Sequence, residues 1–99
     1  MTSLKTVECF DYVTERWSPV TSMSRPRSAA GVTYFGDRIY CFGGHDGLNI
    51  FDSGEYYDAQ SQQWTMVAPM LNKRCRLGVA TLGGKIYVAG KIHYFFDAY

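Results

Sequence analysis

Apolar and polar positions alternate in short runs along this chain, and the pattern is clearest from Ser28 to Trp64. Four β-like runs lie there, each bounded by Gly, Asp or Ser, and none has helical periodicity. Over the whole chain the same reading predicts strands at 7–11, 17–20, 28–35, 38–42, 54–58, 64–68, 77–82 and 85–89. Gly36-Asp37 suits a tight hairpin turn, because glycine supplies a positive φ at a central turn position. Pro26 excludes a helix through the 22–26 connection, and Pro19 places the second strand at a sheet edge. Along Arg38–Phe42, Ile39 and Cys41 face one way while Tyr40 and Phe42 face the other. Both faces are apolar, so this strand expects cover on both sides.

The pattern repeats. Trp17 and Trp64 are 47 residues apart, and so are Gly31 and Gly78, Tyr40 and Tyr87, and Met23 and Met70. Glu8/Glu55, Asp11/Asp58, Arg27/Arg74, Gly36/Gly83, Ile39/Ile86 and Gly43/Gly90 keep that register without a gap. A period of this size signals an array, a solenoid or a propeller. The strands group into an outer half-blade with its connection (1–26), a complete blade (27–70), an inner half-blade (71–90) and a divergent tail (91–99). The fold class is therefore all-β, built from four-stranded antiparallel blades. About two blade equivalents cannot close a ring of 4–8 blades, so the expected object is a partial propeller.

Composition adds limits. The chain has 99 residues, 46% hydrophobic and 16% aromatic, which favours a packed core over disorder. A net charge of +1 argues against nucleic acid or an anionic membrane as partner. No apolar run approaches the ~20 residues of a membrane span, and no signal-peptide core opens the chain, so the expected location is cytoplasmic. Cys9, Cys41 and Cys75 show neither zinc nor disulfide spacing. Cys41 reads as a buried small hydrophobe. Cys75, between Arg74 and Arg76, is either a reactive thiol with a lowered pKa or an inert one.

Chemistry is sparse. His45 and His93 fall into no metal-ligand spacing, and there is no nucleophile elbow or phosphate loop. The in-phase repeats Glu8/Glu55 and Asp11/Asp58 point to turn and blade-joining roles, not to an acid–base pair. The expectation is a non-enzyme with no cofactor and no metal. Consecutive strands of a meander reverse direction, so the 45–53 loop must share one end with the connections at 22–27 and 69–76. That end carries Arg25, Arg27, His45, Asp46, Asn49, Asn72, Lys73, Arg74 and Arg76, with Phe51 as an apolar anchor. Loops on a rigid scaffold are where binding residues concentrate.

Ile39-Tyr40-Cys41-Phe42-Gly43-Gly44, then Tyr57-Asp58, then Trp64, with Phe10-Asp11 and Trp17 one repeat earlier, resemble kelch repeats over residues 7–90. The motif residues are Gly43, Gly44, Tyr57, Trp17 and Trp64. The resemblance implies a blade repeated around a central channel, usually six times. It also implies a partner pocket lined by basic residues just before the inner strand, here Arg27 with Ser28 and Arg74 with Arg76. Arginine suits that role because its planar fork grips a carboxylate at two points. Capping of strand ends, or pairing with a neighbouring blade's acids, is the other reading of Arg27 and Arg74. His45 falls where family members often carry an aromatic residue, and reads as a partner contact or a plain loop residue. The residues expected to bind a partner are thus Arg27, Ser28, His45, Asp46, Asn49, Phe51, Arg74 and Arg76.

By resemblance to the Kelch-like proteins, the chain is expected to be a protein-binding module from a substrate adaptor of a cullin-based ubiquitin ligase. The BTB and BACK regions that engage the cullin have no counterpart in this sequence. The alternatives are an actin-associated kelch scaffold and a kelch-type copper oxidase fragment. Gly90-Lys91 departs from the double glycine. Phe95-Phe96-Asp97-Ala98 then reads as a third strand after a shortened loop or as an unrelated terminus. Half-blades at both ends leave open strand edges, so the isolated chain is expected to self-associate or to stay partly unfolded.

Overall fold

The computed structural model describes residues 3–91. Eight strands follow in order: β1 (Val7–Asp11), β2 (Arg16–Val20), β3 (Gly31–Phe35), β4 (Arg38–Phe42), β5 (Gly54–Asp58), β6 (Gln63–Val67), β7 (Cys75–Leu82) and β8 (Lys85–Lys91). They form three antiparallel sheets, β1-β2, β3-β4-β5-β6 and β7-β8, with every pairing between consecutive strands. The central sheet is one complete blade, flanked by an outer half-blade and an inner half-blade. The expected all-β, partial-propeller architecture is what the chain adopts. Residues 92–99, which hold most of the divergent tail, lie outside the described residues.

The turns follow from local chemistry. Gly36 and Asp37 both take positive φ, 52° and 57°, the mirror-image geometry that suits the twist of a two-residue hairpin. Asp11 Oδ1 accepts hydrogen bonds from the Val13 and Thr14 amides, and Asp58 Oδ1 accepts one from the Gln60 amide. These repeated aspartates therefore act as turn formers.

Strand limits differ from expectation mainly at β3. Residues 28–30 stay outside the strand: Ser28 makes an isolated bridge to His45, and Ala29 takes φ 56°. Arg76, one repeat later, takes φ 57° and sits at a register shift between Cys75 and Leu77. A left-handed residue thus turns the chain into the inner strand of both repeats.

Cover over the blade is one-sided. β3 packs against β7, where Gly31 leaves room for Val79 and Leu77. On the other side β1-β2 stands across an open groove from Tyr34, Ile39, Tyr57 and Trp64. Consequently Ile39 remains 42% exposed and Val32 and Tyr34 are open, contrary to the expected double cover of β4. The reason is that β1-β2, across that groove from Tyr34 and Ile39, does not close over them. Cys41 and Phe42 are buried, as their alternation required, and desolvation pushes the Cys41 thiol upward. Cys75 is also buried, which removes the reactive-thiol reading in favour of the inert one.

Trp64 joins the outer half-blade to the blade. Its Nε1 donates to the Thr21 carbonyl at 2.7 Å, the Thr21 hydroxyl donates to the Gln62 carbonyl at 2.6 Å, and the indole tilts against Tyr57. Its equivalent Trp17 is 65% exposed. Trp64 is half-buried, so Trp64→Ala is expected to lower stability by about 2–3 kcal/mol, below a fully buried tryptophan. Urea denaturation checks this; a midpoint unchanged from wild type would show that the seam contributes nothing.

Candidate functional site

Three connections meet at one end of the blade, as strand direction requires. The Ser28 and His45 backbones bridge each other, the Phe51 amide bonds the Gly44 carbonyl, the Arg74 amide bonds the Phe51 carbonyl at 3.1 Å, and the Gly44 amide bonds the Arg74 carbonyl at 2.9 Å. The 45–53 loop is therefore clamped on both sides by the connections leading into and out of the blade.

Within that loop, Asp46 Oδ1 accepts from the Leu48 and Asn49 amides at 2.9 and 2.8 Å. Those bonds, with Asn49 contributing most, hold its carboxyl below the usual range. His45 Nδ1 accepts from the Gly47 amide at 3.2 Å. Asp46 and Asn49 rim a depression of about 400 Å³ that also meets Ser24, Arg25, Asp52 and Lys73, with Phe51 in its wall. Phe51 is buried, and the Arg25 guanidinium lies 4.7 Å from its ring centroid. A cation held flat on an aromatic face keeps its outward N–H groups aimed at solvent.

The expected residues divide accordingly. Asp46, Asn49 and Phe51 are brought together. Ser28 Oγ is within 2.7 Å of Ser3 Oγ, and Arg74 and Arg76 stand at the boundary towards the inner half-blade, with Arg74 Nη1 donating to the Gly90 carbonyl at 3.4 Å. Arg27 departs from its expected pocket role. Its side chain is fully buried and paired with Glu55 at 2.9 Å, and its remaining donors go to the Gly43 and Ser53 carbonyls and to Ser53 Oγ. Every donor faces inward because Glu55, itself fully buried, also takes hydrogen bonds from the Ser24 amide and hydroxyl. This cluster joins the incoming connection to the blade's third strand. Arg25 and Lys73, named at this end in the sequence but outside the expected binding set, occupy the exposed cationic positions instead. The in-phase repeats Arg27/Arg74 and Glu8/Glu55 are visible in the sequence, but which acid closes over Arg27 is set by tertiary packing.

Among the described residues no group of three His, Cys, Asp or Glu could hold a metal ion, and no helix is long and apolar enough to cross a membrane. The open groove between β1-β2 and the blade is mostly apolar, with Val7, Ile39, Tyr57 and Trp64 among its walls. It is a blade seam, not part of the end face.

The family model described as Kelch motif matches residues 1–24 and 26–71. Kelch repeat-containing protein kel-10 of Caenorhabditis elegans is 43% identical over 54 residues, covering 54% of this chain and 9% of the relative. Kelch-like protein 7 of Rattus norvegicus is 39% identical over the same length and shares, and Kelch-like protein 1 of Mus musculus 49% over 41 residues, 41% of this chain and 6% of the relative. The match spans less than a tenth of the length of these relatives. The solved structure of YjhT superposes with a TM-score of 0.73 at 15% identity, covering 92% of this chain and 35% of that one. The family match ends at residue 71, whereas β7 and β8 carry the same hairpin one step further.

Proposed function

Because this chain belongs to the Kelch motif family, we propose that it is a protein-binding module taken from a substrate adaptor of a cullin-based ubiquitin ligase. The observation that carries the reading is the clamped end face. There, two successive connections and the 45–53 loop hold Arg25, Asp46, Asn49, Lys73 and Arg76 on one rigid backbone. Such a surface suits a peptide segment that offers carboxylates to the cations and amides to Asp46 and Asn49. Similarity to Kelch-like proteins 1 and 7 supports the adaptor type. The segments 28–35, 38–47 and 71–76 also resemble Kelch-like protein 18, and a parent of that type belongs to this proposal. Cullin engagement would rest on regions outside this sequence. The three unbridged thiols suit a reducing compartment such as the cytoplasm.

The test is affinity purification of the parent protein with wild-type residues and with Lys73→Ala plus Arg76→Ala. Wild type is expected to retain a substrate together with the cullin, and the variant to lose the substrate at least about tenfold, keeping the cullin and the unfolding midpoint. Equal substrate retention by both would remove the end face from the binding site. Sedimentation with actin filaments in place of cullin recovery would assign the module to a scaffold.

A further inference from the structure

The end-face depression holds charges that do not answer one another. Arg25 and Lys73 bring two cations to it, and Asp46 and Asp52 bring two carboxylates. Among the described residues the only ion pair is the buried one between Arg27 and Glu55, so none of these four is neutralised by another. All the lining residues lie between positions 24 and 73, so both walls of the depression come from described chain.

The two carboxylates differ in what holds them. Asp46 is half-buried, and its Oδ1 is compensated by the Leu48 and Asn49 amides. Asp52 is half-buried too, yet its carboxylate accepts no hydrogen bond from the described residues. The Ser24 hydroxyl, which lines the same depression, donates to Glu55 instead, and the Arg25 guanidinium is drawn over the Phe51 ring. The backbone at Asp52 is fixed, since its carbonyl accepts from the Met70 amide at 2.7 Å. A half-buried carboxylate without a donor has lost part of its hydration with nothing in its place, and a cation arriving from outside restores it.

We infer that the depression takes a peptide segment of mixed charge, one acidic and one basic side chain close together, and that Asp52 receives the basic one. This rests on the end face being the partner surface, and adds the chemistry that surface selects and a residue outside the expected binding set. An all-acidic segment would meet Arg25 and Lys73 but would set like charge against Asp46 and Asp52. An all-basic segment would reverse the conflict. Juxtaposed like charges suppress wrong partners, and a segment of both signs avoids them at both walls. In an extended segment, residues two apart share a face about 7 Å from each other, so both side chains can enter together.

The test is fluorescence polarisation of the parent protein with short, end-capped, labelled peptides. Their central residues are Glu-Ala-Lys, Lys-Ala-Glu, Glu-Ala-Glu, Lys-Ala-Lys or Gln-Ala-Gln. At least one mixed order is expected to bind about tenfold tighter than the all-acidic, all-basic and neutral probes. Asp52→Lys is expected to move the preference to the all-acidic probe, and Lys73→Glu to the all-basic one, a reversal that a merely structural loss does not produce. Because a reversal can also prevent folding, Asp52→Asn keeps the shape and is expected to weaken the mixed probe by about threefold or more. Tightest binding of a single-sign probe by wild type, or equal binding of every probe, overturns the inference. Mixed-charge binding that the Asp52 variants leave unchanged overturns the role of Asp52. The end-face reading is judged separately, by substrate recovery with Lys73→Ala plus Arg76→Ala.

Discussion

Glu55→Gln is expected to cost about 3–5 kcal/mol, a large part of the stability of any small domain. The substitution keeps the shape and leaves the Ser24 contacts available. It also leaves the Arg27 guanidinium fully buried without its counter-charge. An uncompensated buried cation is what makes breaking such a pair so damaging, whereas removing both charges together is far milder. The double variant Arg27→Met with Glu55→Met should therefore regain most of the loss, limited by the donors that the Gly43 and Ser53 carbonyls would miss. Urea unfolding of the single and double variants decides the matter. A single-variant loss under about 1 kcal/mol would mean the pair is hydrated and peripheral.

Gly43→Ala is expected to cost about 3 kcal/mol, from two sources. At φ 65° the left-handed backbone penalises any Cβ by about 1 kcal/mol. A Cβ at this position would also run into the Arg74 carbonyl oxygen, a backbone atom fixed by the Gly44 amide. Displacing packed backbone adds about 1–3 kcal/mol. Gly36→Ala is the control: its φ is 52°, yet a Cβ there meets nothing within 4 Å, so only the first part applies. Equal losses at the two glycines would show that the blade yields at the Arg74 contact.

These two sites illustrate what the sequence makes legible. The double glycine ended a predicted strand, and the eight strands lie close to where alternation put them, because pleat period and turn residues are local properties. That the end face gathers three connections also followed, since strand direction is forced by the meander. Burial was harder. Arg27, Ser28, Arg74 and Arg76 look alike as a polar run before an inner strand, yet Arg27 is sealed inside while Arg76 stands at the surface. The difference lies in whether a glutamate from the blade's third strand closes over the side chain, which is a tertiary fact. Likewise, Ile39 and Cys41 share a strand face, but only Cys41 is covered, because cover depends on which neighbouring strands exist.

The strict succession of strand pairings has a kinetic side. Among the described residues no strand waits for a distant stretch of chain: β1 meets β2 across a short turn, β3 meets β4 across Gly36-Asp37, and the longest closure inside a sheet is the 43–53 loop. Loop-closure entropy is small for such spans. Each hairpin can therefore form as soon as it leaves the ribosome. The slow events are left to the seams, where Glu55 must find Arg27 across 28 positions of chain.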